Sequence, residues 1–249
     1  MKRLWPVSSD KPSKAHHVFP APEWTSVSAS LAASLAHEIR NPLLSIKGAA
    51  QLLEQAVSED DKSLAQLIIT EASRIEKLIA TMDPLTPNPS QISESLNIHE
   101  VTEYVRLAAS SFAPHVAIRT KYDPSLPNVR GVREALIQAL INLVKNSAEA
   151  LVEIPTPTIT IATRYLSGER MQRPDGAKLN IHVSVTDNGA GVAENVVPRL
   201  FTPFSSNKAD GKGLGLAIVA KIVEEHGGLI AYDAPAEGGA RFSVYLPVA

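Results

Sequence analysis

Ser34-Leu35-Ala36-His37-Glu38-Ile39-Arg40-Asn41-Pro42-Leu43 places a histidine, a carboxylate, an amide and a proline on consecutive turns of a segment whose apolar residues are periodic. Around it Leu35, Ile39, Pro42, Ile46, Ala49, Leu53 and Ala56 recur at alternating spacings of four and three. Such spacing marks the seam of a helix packed in a coiled-coil or bundle manner. Ser58-Glu59-Asp60-Asp61 is a polar turn, after which Leu64, Ile68, Ile75, Leu78 and Met82 continue the seam, with Glu71 as the polar intruder. Two helices joined by a short loop form an antiparallel hairpin, and a hairpin alone has too little core to stand. The expectation is a homodimer in which two hairpins build a four-helix bundle.

On a helix advancing about 100° per residue, His37 lies about 200° from both Leu35 and Ile39, away from the seam and open to solvent. Glu38 beside it can hold the Nδ1 proton of the imidazole, which leaves Nε2 as the free nucleophilic nitrogen. Pro42 has no N–H for the carbonyl of Glu38 and bends the helix one turn past the histidine. Alone, an exposed His-Glu pair is ordinary surface decoration, and its meaning depends on what the rest of the chain carries.

Working outward, residues 1–26 hold Pro6, Pro12, Pro20 and Pro22 without an apolar period and read as a flexible lead segment. Pro84, Pro87 and Pro89 end the second helix, so that 27–83 is the hairpin and 84–95 a stiff linker. Over 96–249 the pattern mixes. Helices are predicted at Ile98 to Phe112, Val132 to Leu151 and Leu214 to Glu225; strands at Val116 to Tyr122, Thr158 to Tyr165, Asn180 to Thr186, Leu229 to Tyr232 and Ala240 to Leu246. That order implies an α/β sandwich with helices on one face of a mixed sheet.

Composition narrows the partners. With 24 Lys+Arg against 26 Asp+Glu among 249 residues, the formal charge of -2 favours neither nucleic acid nor an anionic membrane. The absence of cysteine removes disulfides, thiolate metal sites and cysteine nucleophiles. No stretch approaches the roughly 18 apolar residues of a membrane span, and the N-terminus has no signal-peptide core, so the expected location is the cytoplasm.

Three segments of the second region carry nucleotide chemistry. In Asn142-Leu143-Val144-Lys145-Asn146 two carboxamides share a helical face. Their neutral oxygens suit Mg²⁺ already carrying phosphate, and Lys145 can reach a phosphate. In Val183-Ser184-Val185-Thr186-Asp187-Asn188-Gly189-Ala190-Gly191 a strand runs into a glycine turn. Asp187 can accept from an adenine amino group, and Gly189 and Gly191 let backbone approach a flat ring. Gly211-Lys212-Gly213-Leu214-Gly215 opens a helix whose N–H groups suit phosphates, without the spacing of a Walker A loop or a Rossmann turn. Between the glycine segments, Leu200 to Lys208 has the apolar anchors and polar stretch of a lid.

In this order and spacing the segments resemble the H box, N box, first glycine box, phenylalanine box and second glycine box of the sensor histidine kinases of two-component signalling, over about residues 27–247. Leu35 to Leu43 with Gly48-Ala49-Ala50-Gln51-Leu52-Leu53, then Tyr122-Asp123-Pro124-Ser125-Leu126-Pro127 and Ala220 to Gly228, are similar to the soluble nitrogen-regulation kinases. The resemblance implies a dimerising helical hairpin followed by a GHKL-type ATP-binding domain, with ATP and Mg²⁺ as cofactors and a response-regulator receiver domain as partner. It implies His37 as phosphoacceptor, Glu38 assisting proton transfer, and Asn41 placing water to dephosphorylate the regulator. It further implies Asn146 as Mg²⁺ ligand supported by Asn142, Asp187 on adenine, Lys208 near the phosphates, and Gly189, Gly191, Gly211, Gly213 and Gly215 shaping pocket and lid.

The chain departs from that family at three points. The lead segment is too short for the usual N-terminal sensor domain, so sensory input by that route is not expected, and a signalling protein docking on the bundle or the ATP domain is an expected alternative partner. Ser147 stands where Ala is usual after the N-box Asn, and Ser205-Ser206-Asn207 replaces a Thr-rich run. The competing readings are a GHKL ATPase without histidine transfer, a non-catalytic dimeric phosphotransfer or adaptor protein, and a protein acting mostly as a phosphatase. His16, His17, His99, His115, His182 and His226 lack metal-ligand spacing and are assigned surface or packing roles.

Overall fold

The computed structural model describes residues 16–19, 39, 41–55, 59–80, 93–167, 171–173, 175–203, 205 and 213–249. The chain divides into two compact units, Glu23–Pro89 and Met1–Pro22 joined with Ser90–Ala249. No helix among the described residues is long and apolar enough to cross a membrane.

In the first unit, residues 41–55 form helix α1 and Glu59–Ala80 form α2. Leu43 packs with Ala72, and Gln66 Nε2 donates to Glu54 Oε1 at 3.0 Å, so early α1 meets late α2 and the pair is antiparallel. The helices touch along Leu43, Ala50, Ala65 and Ala72. Within each helix these buried residues are a heptad apart, and the small alanines allow close approach. The residues of the expected bundle seam are a different set. Ile39, Ile46, Leu53, Leu64, Ile68 and Ile75 are exposed in the single chain, from 38% at Ile75 to 61% at Leu64. Leu43 and Ala50 lie one residue beyond Pro42 and Ala49 of the expected stripe, on the neighbouring helical face, and it is this neighbouring face that the chain uses for itself.

The second unit is a two-layer sandwich. Its strands are β1 (His16–Phe19), β2 (Glu94–Leu96), β3 (Ala117–Lys121), β4 (Val129–Gly131), β5 (Thr158–Tyr165), β6 (Ile181–Asp187), β7 (Leu229–Asp233) and β8 (Arg241–Leu246). Its helices are α3 (Ile98–Phe112), α4 (Arg133–Glu149) and α5 (Gly215–Glu225). The main sheet runs β1-β7-β8-β6-β5-β3, antiparallel except for the parallel pair β3-β5, while β2 and β4 form a separate antiparallel pair. The mixed sheet with helices against it is the expected architecture. Three short strands were not anticipated. β1 corrects the reading of the lead segment, because His16–Phe19 pairs antiparallel with Ile230–Asp233 on β7 and Val18 joins a cluster with Leu229, Ala231 and Tyr245. β2 begins inside the stretch read as linker.

The core follows from two periodicities. On β6, Ile181, Val183, Val185 and Asp187 are buried on one face at period two. On α4, Leu136, Leu140, Leu143 and Ser147 form a buried stripe at spacings of four, three and four. Ile98, Leu136, Leu140 and Val223 meet Val183, Val244 and Leu246 between the layers. Both stripes are apolar until their last members, Asp187 and Ser147, where the core gives way to chemistry.

Candidate functional site

Asp187 closes β6 and is 4% exposed. Oδ1 accepts from the amides of Gly189 at 3.0 Å and Ala240 at 3.1 Å, and Oδ2 accepts from Ser147 Oγ at 3.0 Å. A buried carboxylate needs such donors to remain an acceptor, and three of them hold it in one orientation. The turn behind it depends on glycine. Gly239 has φ +87°, and a Cβ there would fall inside contact with the carbonyl oxygen of Asp187. Gly191 has φ +77°, and a Cβ would come within 2.9 Å of the Gly239 carbonyl oxygen. Either would push two backbone segments apart beside the carboxylate. The Tyr232 hydroxyl accepts from the amide of Val192 at 3.2 Å. Burial raises its pKa above the ordinary tyrosine value, with the nearby charges of Asp187 and Asp233 adding to the rise.

Asn142 and Asn146 project from α4 toward the start of α5, where Asn142 Nδ2 lies 3.4 Å from the carbonyl oxygen of Gly215. A Cβ on Gly215 would sit 3.6 Å from Asn146 Nδ2 and 3.9 Å from its Oδ1. Gly213 has φ +64°, turning the chain into α5, and among the described residues no side chain caps the N-terminus of that helix. The uncapped first turn therefore presents main-chain N–H groups beside two carboxamides, a polar cradle for an anion. Asn146 fits Mg²⁺ that arrives with phosphate oxygens, since a neutral amide oxygen supplies one ligand of a mostly phosphate and water shell. Among the described residues no three His, Cys, Asp or Glu side chains gather to hold a metal by themselves.

A family model described as the His Kinase A (phospho-acceptor) domain matches residues 28–85, and one described as histidine kinase-, DNA gyrase B- and HSP90-like ATPase matches residues 131–249. The chain is 44% identical over 221 residues to the sensory histidine kinase/phosphatase NtrB of Rhizobium leguminosarum bv. phaseoli, covering 87% of this chain and 57% of that protein. The chain belongs to the histidine kinase family. Against NtrB of Azospirillum brasilense it is also 44% identical, over 223 residues, with 88% of this chain and 55% of that protein covered. It thus spans a little over half the length of these relatives. Its fold is also that of ShkA, solved at full length with AMPPNP, with a TM-score of 0.63 at 23% identity over 89% of this chain and 46% of that one.

Within this histidine kinase chain the structure brings Asn142, Asn146, Asp187, Gly189, Gly191, Gly213 and Gly215 into the regions just described. Lys145 is elsewhere: its ammonium lies 5.3 Å from the centroid of the Phe112 ring at the end of α3. The expected phosphate contact is corrected to a cation–π contact, because the residue points along the side of α4 that faces α3. Asn41 is exposed on α1. His37, Glu38, Lys208 and Gly211 lie outside the described residues. At the start of the expected lid, Phe201 is 2% exposed and edge-on to Phe242, anchoring that end in the core.

Gly239 and Ala240 also shape the surroundings of this carboxylate, without a motif in the sequence that marks them. The Gly238-Gly239 pair was visible as a turn signal, but nothing local tied it to a carboxylate some fifty residues earlier. His226 is a packing residue as expected. Its Nδ1 donates to the Ile222 carbonyl at 2.7 Å and its Nε2 accepts from the Val132 amide at 2.9 Å, clasping the end of α5 to the start of α4.

Proposed function

We infer that the chain works as a sensor histidine kinase that autophosphorylates on His37 from Mg-ATP and passes the phosphoryl group to an aspartate of a response-regulator receiver domain. Nitrogen-regulation signalling is the setting that the relatives named NtrB support. The observation that carries this reading is the buried, three-donor carboxylate of Asp187 beside Asn142, Asn146 and the glycine-turned start of α5.

Asp187 accepts the adenine amino group, and the first turn of α5 receives phosphate oxygens. Asn146, supported by Asn142, would hold Mg²⁺, which when bound offsets charge on the phosphoryl oxygens. Nε2 of His37 attacks the γ-phosphorus in line, the N–P bond forms as the bond to the ADP oxygen breaks, and Glu38 takes the proton from Nδ1. The exposed stripe Ile46, Leu53, Leu64 and Ile68 supports a homodimer, in which a second hairpin covers it. The exposed amide of Asn41, four residues after His37 in the sequence, supports a second activity, placing water to dephosphorylate the regulator.

Incubation with ATP labelled at the γ-phosphate tests the reading. Wild type is expected to take up acid-labile, alkali-stable label, as a phosphoramidate does, and His37→Gln none. If wild type binds ATP but stays unlabelled, the chain is a GHKL ATPase without histidine transfer. If it binds no ATP, it is an adaptor.

A further inference from the structure

Serine and threonine hydroxyls inside helices usually return to a carbonyl of their own helix. Among the described residues Ser45 does so to Asn41, Thr70 to Gln66, Thr102 to His99, Ser110 to Leu107 and Ser111 to Ala108. Ser147 does not. It is 1% exposed at the end of the buried stripe of α4, and its hydroxyl crosses to Asp187 Oδ2 at 3.0 Å on β6. The hydroxyl is the donor and the carboxylate oxygen the acceptor. Oδ1 is already committed to the amides of Gly189 and Ala240. Among the described residues the hydroxyl is the sole donor to Oδ2, which leaves that oxygen one further lone pair for a ligand.

We propose that Ser147 is a positioning residue for nucleobase selection, holding Asp187 Oδ2 as a fixed acceptor for the exocyclic amino group of a 6-aminopurine nucleotide. The proposal rests on the nucleotide-site reading above. A 6-oxopurine sets its carbonyl oxygen against the carboxylate, acceptor facing acceptor, and the held Oδ2 cannot turn away. Without the hydroxyl, a water can fill the vacated position and donate to that carbonyl, so selection between the two bases weakens. A serine that only packed would not affect the choice between bases.

The test is calorimetric titration of the full chain with Mg-ADP and Mg-IDP, for wild type, Ser147→Ala and Ser147→Cys. Wild type is expected to prefer ADP. Losing a hydrogen bond to a charged group should weaken ADP binding by about tenfold in Ser147→Ala and narrow the ADP-to-IDP ratio by a similar factor. Ser147→Cys, with its weaker donor in nearly the same volume, should fall between. If Ser147→Ala binds both nucleotides as wild type does, or loses both equally with the ratio unchanged, the positioning role is overturned. A wild type that binds neither nucleotide overturns the nucleotide site itself, and the proposal with it.

Discussion

The sandwich and the hairpin differ in how far one chain completes them. The sandwich buries Leu143, Ile159, Ile181 and Val185 to 0% exposure, whereas the hairpin leaves Leu52 at 69%, Leu64 at 61% and Leu53 at 51%. Helices laid on a sheet close a core between them. Two helices touch along a line, so a second apolar face stays open until another helix pair covers it. The sandwich therefore owes its stability to its own contacts. In the proposed homodimer the hairpin's depends on protein concentration.

The largest expected break in that comparison is Gly239→Ala. Its Cβ would meet the Asp187 carbonyl oxygen at a residue with φ +87°. Strain and displaced backbone together cost roughly 3 kcal/mol, which lowers the sandwich melting transition by roughly 6–12 °C. Calorimetry should show this with the helical signal of the hairpin unchanged; an unmoved sandwich transition would mean the two turns are not in contact.

A smaller effect, confined to the hairpin, is expected of Ile68→Glu. Ile68 lies on the open face at 43% exposure. A charge there should weaken the dimer by about 2 kcal/mol, or roughly thirtyfold in dissociation constant. Light scattering across a dilution series measures this. Dimerisation at the wild-type constant would place the second chain on another face.

The smallest effect sharpens the comparison through pH. Asp123 Oδ1 accepts from the Ser125 hydroxyl and amide, and Oδ2 from the Tyr165 amide at 2.9 Å. The Ser125 hydroxyl first, and then these amides, hold its pKa at about 2, below the ordinary 3.8. A folded pKa below the unfolded one means that its stabilising contribution is fully present above pH 3.8 and is lost as pH falls through about 2. Acid titration of the sandwich should therefore show a limb between these values that Asp123→Asn flattens. A limb of equal size in the variant would assign it to other carboxylates.

Much of the sandwich was legible because its elements are long enough to show a period. Ile98 to Phe112 and Thr158 to Tyr165 begin and end where their patterns do. β1, β2 and β4 have three or four residues each, too few for alternation to register, and β1 sits among prolines that argue against order. In the hairpin the apolar period was correctly read as helical, but neighbouring faces both carry apolar residues. Periodicity does not distinguish the face used within the chain from the one left open. In the site, Asp187, Asn142 and Asn146 stand in motifs whose chemistry is local. Lys145 was misplaced because reach alone allowed a phosphate, while packing against α3 gave it an aromatic ring.

The sequence by itself determined which parts of the chain are helix-hairpin and which are sandwich, and which side chains have the chemistry for a nucleotide, since periodicity and donor type are properties of neighbouring residues. Only the tertiary structure decided that Ser147, Gly189 and Ala240 would converge on one carboxylate, that His16–Phe19 would extend the sheet, and that the alanine face of the hairpin would be the inner one. Those outcomes depend on strand register and helix packing between residues far apart in the chain, where local propensity carries no information and the fit of surfaces sets the free energy.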